Sequence, residues 1–158
     1  MQSSEKDANR DALKEPMVRA LAEAADAAAR GEVPVGAVLV ASGRIIAAAG
    51  NATRVPPDPT GHAEMRVIRQ GALLLGRERL SSCDLYVTLE PCAMCAAAIS
   101  FARIRRLYFG ASDPKGGAVE HGPRFFASAT CHHAPEVYGG FQEQAAAVLL
   151  RDFFTARR

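Results

Sequence analysis

The chain has 158 residues, 49% of them hydrophobic and 23% charged, and its formal net charge at pH 7 is +2. This length and composition suffice for one substantial core, and the sequence contains neither an apolar run long enough to span a membrane nor a secretory signal. We therefore expect one cytoplasmic domain over residues 11–158, preceded by a polar lead-in at residues 1–10 that is disordered or frayed.

The charge is unevenly distributed along the chain. Residues 91–158 hold eight Lys or Arg against five Asp or Glu, and sixteen of the nineteen basic residues are arginine, whose forked guanidinium suits phosphate. So small an excess is more typical of a solvated surface than of a nucleic-acid site, and charge alone identifies no partner.

The first predicted element is an amphipathic helix over residues 12–30, which Gly31 ends. Two β-rich runs follow, over residues 33–40 and 44–49. The Ser42-Gly43 pair between these runs predicts a β-hairpin.

Residues 50–61 contain three prolines and are predicted to form a loop. Thr60 is predicted to cap a second helix, which runs to Leu75 and is closed by Gly76. A strand is predicted over residues 85–89.

The rest of the chain continues the alternation. The predicted elements are a helix from the cysteines to about Ala102, a strand over 105–110, a short helix near 124–128, a short strand near 137–141 and an amphipathic helix over 142–158. Together with the hairpin, these units predict an α/β fold, a three-layer α/β/α sandwich around a mixed five-stranded sheet. Ligands should gather at the carboxyl ends of its parallel strands.

Residues 84–97 combine a strand, a turn and the start of a helix with two cysteines. Cys92 and Cys95 follow Pro91, and their spacing puts them on one face of the opening turn. The free N–H groups and the positive dipole end there favour thiolates, so both sulfurs are suited to metal binding or redox chemistry.

His62-Ala63-Glu64 lies at the start of the other helix that should open at the same end of the sheet. With Cys92 and Cys95, His62 completes three protein ligands for a tetrahedral zinc and leaves one position open, as in a catalytic site. Glu64 is then placed to accept and return the proton of a zinc-activated water, without being a ligand. His-x-Glu followed by Pro-Cys-x-x-Cys is the known signature of zinc-dependent nucleobase deaminases.

Two other interpretations of the cysteines stay open. A thioredoxin-like dithiol would use the pair alone. A closed, structural zinc site would add Cys131 and His132 or His133. Neither interpretation gives Glu64 a role.

Six stretches match a known pattern over residues 17–158. They are Gly31-Glu32-Val33-Pro34-Val35-Gly36-Ala37-Val38, Gly50-Asn51, Asp58-Pro59-Thr60-Gly61-His62-Ala63-Glu64, Leu85-Tyr86-Val87-Thr88-Leu89-Glu90-Pro91-Cys92-Ala93-Met94-Cys95, Phe109-Gly110-Ala111-Ser112-Asp113-Pro114-Lys115 and Asp152-Phe153-Phe154. On these motifs the chain resembles the cytidine and deoxycytidylate deaminase superfamily, and within it the branch that edits tRNA anticodons.

The resemblance implies a cytidine deaminase-like fold, one zinc ion per subunit on His62, Cys92 and Cys95, and Glu64 as the proton shuttle. It also implies substrate contacts from the pocket wall and the RNA-binding edge, namely Val33, Pro34, Asn51, Ala63, Glu90, Pro91, Asp113, Lys115, Phe153 and Phe154. Homodimers with RNA contacts from both subunits are implied as well, and the helix over 96–102 is predicted to pack at that interface or in the core.

The function that the resemblance implies is hydrolytic deamination of adenosine to inosine at the wobble position of a tRNA anticodon, with the anticodon stem-loop as the partner. One alternative is a deaminase of free guanine, cytosine or cytidine that uses the same zinc site. Another is a zinc-stabilised RNA-binding module without catalysis, against which Glu64 argues. Two departures from the family pattern are Gly61, expected only to add backbone freedom, and the loop over residues 117–122.

Overall fold

The computed structural model describes the backbone of residues 2–158 and the side chains of residues 15–158. Four α-helices and five strands follow one another in that part, with a short 3-10 helix at Phe125–Ala127. They are α1 (Gln2–Ala29), β1 (Gly36–Ala41), β2 (Arg44–Gly50), α2 (Ala63–Leu75), β3 (Cys83–Leu89), α3 (Ala93–Phe101), β4 (Arg106–Ala111), β5 (Glu136–Tyr138) and α4 (Glu143–Thr155).

The strands form one mixed sheet in the order β2-β1-β3-β4-β5. β1 is antiparallel to β2 and to β3, whereas β3, β4 and β5 are parallel. The hairpin turns at Ser42 and Gly43, whose φ angles of 51° and 72° are those of the two-residue turn that joins twisted strands. Because β2 runs in the same direction as β3 and β4, the carboxyl ends of all three lie at one edge of the sheet.

Helices cover both faces of this sheet. On one face, Met17 and Ala20 of α1 pack against Tyr86 and Tyr108, and α4 lies beside α1. On the other face, α2 and α3 contribute to the larger core, in which Phe109 is fully buried. The predicted three-layer α/β/α sandwich with a mixed five-stranded sheet is confirmed.

The start of α2 differs from the prediction. The helix begins at Ala63, with His62 as the residue before its first turn. Thr60 does not cap it, because Thr60 lies two residues before the N-cap position. The Thr60 hydroxyl donates to Asp58 Oδ1 at 2.8 Å. The predicted Thr60 cap is therefore wrong, whereas Gly76 does close the helix, in the left-handed conformation with φ of 64°.

α1 begins at Gln2, whereas the sequence predicts a helix from residue 12, so the backbone of residues 2–10 is helical. Fraying of the lead-in at residues 1–10 stays a prediction. In the described part, none of the helices combines the length and apolar character needed to cross a membrane.

Candidate metal centre

Two helix starts meet at the carboxyl edge of the sheet. α2 follows β2 through the loop over residues 51–61, and α3 follows β3 almost directly. His62 and Cys92 occupy equivalent places, each an extended residue just before the first helical turn, and neither side chain caps its own helix. Both side chains are therefore free to face the space between the two helices, where Cys95 joins them from the first turn of α3.

The three predicted ligands lie together. His62 Nδ1 is 3.6 Å from Cys92 Sγ and 3.5 Å from Cys95 Sγ, and all the ligand atoms lie within 4.8 Å of one another. A tetrahedral zinc with bonds of about 2.3 Å to sulfur and about 2.1 Å to nitrogen separates such donors by about 3.6 Å. The spacing and the chemistry of these donors both fit zinc, and this is the one cluster of its kind among the described side chains.

The two cysteines do not share their proton equally. A hydrogen bond from the Cys95 thiol lowers the pKa of Cys92 to about 4, helped by His62 and opposed by burial. The same contact, together with burial, raises the pKa of Cys95. The contact between the two sulfurs therefore favours the charged form of Cys92 over that of Cys95, and zinc binding would displace the proton that remains on the pair.

Glu64 lies in the first turn of α2 and is only 4% exposed. Burial raises the pKa of this carboxyl, and the nearby Cys92 thiolate acts in the same direction. A carboxyl that is destabilised as an anion next to a metal site is suited to take up a proton and to return it.

The predicted pocket wall comes to the same edge of the sheet. Asn51 directly follows β2, and its backbone N–H donates to the Val35 carbonyl at 2.9 Å. The Asn51 side chain is 9% exposed, and its amide makes no hydrogen bond to another described side chain or backbone group. Val33 is half-buried, and Pro34 and Ala63 are buried. The contacts of these residues with substrate stay predictions.

Glu90 has a different environment from the one expected of a substrate contact. Its side chain is fully buried, and its carboxylate accepts hydrogen bonds from the backbone of residues 113–121 and from the His121 ring. Burial alone would raise the pKa of Glu90, but the Asp113 N–H and the other donors hold it below its usual value. No spacing in the sequence indicates this contact, because its donors are mostly backbone groups about 30 residues away.

The remaining predicted RNA contacts lie on the surface loop and on α4. Asp113 Oδ1 accepts from the Lys115 and Gly116 backbone N–H groups at 3.2 and 3.0 Å, which closes a turn with the Lys115 side chain exposed. Phe153 is 8% exposed and its ring lies 3.4 Å from the Arg157 guanidinium, whereas Phe154 is half exposed. Of the two rings, Phe154 is the one that presents a face to a partner.

Gly61 does more than add backbone freedom. A Cβ at this position would overlap the Ala52 carbonyl oxygen. The two residues lie this close because the Ala52 N–H donates to the Gly61 carbonyl at 2.8 Å. The loop can reach the metal ligand His62 along this path only because residue 61 lacks a side chain.

The histidine and cysteine proposed for a closed zinc site lie elsewhere. The Cys131 thiol donates to the His133 carbonyl at 3.1 Å, and the His133 ring contacts the Ile104 carbonyl at 2.7 Å. These contacts pin the segment before β5 to the end of α3, so the alternative of a zinc site built with Cys131 and His132 or His133 is wrong.

Comparison with known proteins identifies relatives of this arrangement. Residues 11–111 match the family described as the cytidine and deoxycytidylate deaminase zinc-binding region. The chain is 63% identical over 142 residues to the tRNA-specific adenosine deaminase of Agrobacterium fabrum, in an alignment that covers 90% of this chain and 93% of the relative.

Two solved structures are similar as well. One comes from studies of A-to-I editing by tRNA:A34 deaminases at the wobble position of transfer RNA, with 63% identity, a TM-score of 0.85 and coverage of 86% of this chain and 99% of the other. The other is a guanine deaminase from Bacillus subtilis, with 38% identity, a TM-score of 0.60 and coverage of 62% of this chain and 63% of the other.

Zinc content distinguishes the three proposed ligands from the cysteine and histidines that precede β5. We expect about one zinc per subunit in the native chain, and a loss of zinc affinity of more than about tenfold in Cys92→Ser and in His62→Ala. Cys131→Ser and His132→Ala serve as matched controls and should keep the metal. Metal analysis of the dialysed proteins checks this, and loss of zinc from the controls alone would contradict the assignment.

Proposed function

The chain belongs to the cytidine and deoxycytidylate deaminase family, and from that membership we propose that it converts adenosine to inosine at the wobble position of a tRNA anticodon. The observation that carries the reaction is the His62, Cys92 and Cys95 cluster with the buried carboxyl of Glu64 beside it. The choice of substrate is supported by the 63% identity to a tRNA-specific adenosine deaminase over nine-tenths of the chain.

His62, Cys92 and Cys95 would hold the zinc ion, which when bound would supply Lewis acidity and lower the pKa of a water molecule to about 7. Glu64 takes a proton from the attacking water while the water oxygen bonds to C6 of the base. Glu64 returns this proton to the ring nitrogen N1, then takes the proton of the new C6 hydroxyl and passes it to the amine. The C6–N bond breaks as the C6 carbonyl forms. Adenosine and water thus become inosine and ammonia, and one carboxyl acts first as base and then as acid.

The base must leave its stack to reach this carboxyl. Nucleobase deaminases act on a flipped or single-stranded base, which an anticodon loop offers at low cost. The free side-chain amide of Asn51 is available to pair with an edge of that base, between the wall of Val33 and Pro34 and the first turn of α2.

Removing the acid-base group separates chemistry from metal binding. We expect Glu64→Gln to lower turnover by about 10²–10⁴-fold, because the amide cannot transfer the proton. Zinc content should stay at the native level, since Glu64 is not a ligand. Single-turnover assays and metal analysis on the same preparations check both, and loss of zinc in Glu64→Gln would contradict the proposed role.

Substrate choice is tested by direct competition. We expect an anticodon stem-loop RNA with adenosine at the wobble position to yield inosine, and guanine, cytosine and cytidine to yield no comparable ammonia. Affinity for the RNA should fall with rising salt, since phosphate contacts release counterions. Faster deamination of any of the free compounds would favour the free-base alternative, and RNA binding without product would favour a non-catalytic module.

We also propose that the enzyme is a homodimer that pairs through the α2 and α3 layer. Leu73 at the end of α2 and Phe101 at the end of α3 are 85% and 73% exposed. The exposed Ala93 and the half-buried Met94 extend this apolar surface along α3. Apolar side chains exposed in one layer of a fold are typical of surfaces that are covered in an assembly.

A single charge on this surface should disrupt the dimer. We expect Phe101→Glu to shift the molar mass measured by light scattering from dimer to monomer, because burying an unpaired carboxylate at the interface is costly. Val18→Glu on α1 is the matched control, since Val18 is also exposed, at 55%, but lies on the opposite face of the sheet. A dimer that survives Phe101→Glu and dissociates in the control would contradict this interface.

The extent of the domain and its location are further proposals. Residues 11–158 are proposed to form a single deaminase domain, since the family match covers residues 11–111, β5 joins the same sheet and α4 packs against it. None of the four cysteines forms a disulfide, which suits the proposed location in the reducing cytoplasm.

A further inference from the structure

We propose that Glu90 is a positioning residue, which together with His121 anchors the loop over residues 113–121 to the metal centre. Its position in the chain supports this role. Glu90 directly follows β3 and lies two residues before the ligand Cys92, so its backbone belongs to the frame that holds the metal.

Five donors surround the Glu90 carboxylate. Oε1 accepts from the Asp113 N–H at 3.1 Å and from the ring Nδ1–H of His121 at 2.7 Å. Oε2 accepts from the N–H groups of Val119, Glu120 and His121 at 3.2, 3.0 and 3.2 Å. The carboxylate therefore binds both ends of the loop. The five hydrogen bonds compensate for the hydration that the anion loses on burial.

The loop is shaped to admit the carboxylate. A Cβ on Gly117 would overlap Glu90 Oε2, so the absence of a side chain there allows the close approach. A second tie runs beside it, because the Ala118 N–H donates to the Pro91 carbonyl at 2.9 Å. The loop thus closes over the turn that leads into the metal ligands.

These contacts exclude a direct contact of the Glu90 carboxylate with substrate. The side chain is fully buried, and both of its oxygens are occupied by donors from the chain itself. What Glu90 fixes instead is the backbone from which Asp113 and Lys115 project, the residues implied to lie beside the nucleotides that flank the target base. This link to RNA rests on the proposed function, whereas the anchor itself does not.

The first test needs no substrate. In the zinc-loaded full chain, Glu90→Gln should speed amide hydrogen exchange at residues 119–121 by about tenfold or more, because the variant loses the charge and places an amide donor against N–H groups. His121→Ala, which removes one of the five donors, should have a smaller effect at the same amides. Glu78→Gln and His132→Ala are matched controls. Both native side chains are exposed and make no hydrogen bonds with the described residues, so these variants should leave amide exchange at residues 119–121 unchanged.

The second test separates positioning from a direct role. With an anticodon stem-loop as substrate, we expect Glu90→Gln to raise KM by about tenfold and to change kcat by less than about threefold. Contacts with the flanking nucleotides stabilise the bound substrate and the transition state equally, so their loss affects KM. Zinc content should stay at the native level. Glu90→Asp, which keeps the charge, should recover part of the exchange protection and of KM.

The outcomes are distinguishable. Unchanged exchange at residues 119–121 in Glu90→Gln would overturn the anchor, and lost kcat with unchanged exchange would assign Glu90 to the reacting base instead. If Glu90→Gln does not fold, His121→Ala becomes the deciding variant. Unchanged exchange at these amides in His121→Ala would then overturn the proposal. A native enzyme that fails to deaminate the RNA would overturn the proposed function, while the exchange result would still decide whether Glu90 anchors the loop.

Discussion

The rest of the structure depends on one electrostatic constraint. Several ionisable side chains lie side by side at a largely buried site. The Cys92 thiolate, the Cys95 sulfur and the Glu64 carboxyl are close together at the start of two helices. Such groups repel one another and lose hydration on burial, so a chain that brings them together needs a compensating cation. A divalent zinc held by the sulfurs and His62 supplies that charge. The fold serves this arrangement by bringing the starts of α2 and α3 to the carboxyl edge of the same sheet.

Three buried glutamates show how the same side chain takes different roles. Burial acts to raise the pKa of each, but Glu32 accepts hydrogen bonds from Thr53 and Arg54, and Glu90 accepts them from the 113–121 loop, so both have lowered pKa values. Glu64 has no such donors from a neighbouring loop, and its pKa is raised. The first two are therefore stabilised as anions, and they fix the loops over residues 51–61 and 113–121. Glu64 is left able to exchange a proton, which is the property that catalysis requires.

The sequence predicts those features that depend on local patterns. Residue spacing identifies the hairpin, the helix closed by Gly76 and the three metal ligands, because turn chemistry and helix periodicity act over a few residues. It does not predict that His62 precedes the first turn of α2, since the competing Asp58 contact with Thr60 is a matter of loop geometry. The anchor at Glu90 is also missed. Its donors are backbone N–H groups about 30 residues away, and a backbone group carries no signature in the sequence.

The zinc centre alone does not decide which substrate is deaminated. A guanine deaminase shares the fold over much of the chain at 38% identity, so a zinc-dependent deaminase fold is compatible with a purine other than adenine. The features that can distinguish a base in an RNA loop from a free base are those that reach beyond the pocket. In this chain they are the exposed Lys115, the exposed ring of Phe154 and the arginines that end the chain. Lys115 lies on the loop that the buried Glu90 carboxylate holds. In the proposed function, the position of Lys115 against an RNA would therefore depend on a residue that does not itself touch the RNA.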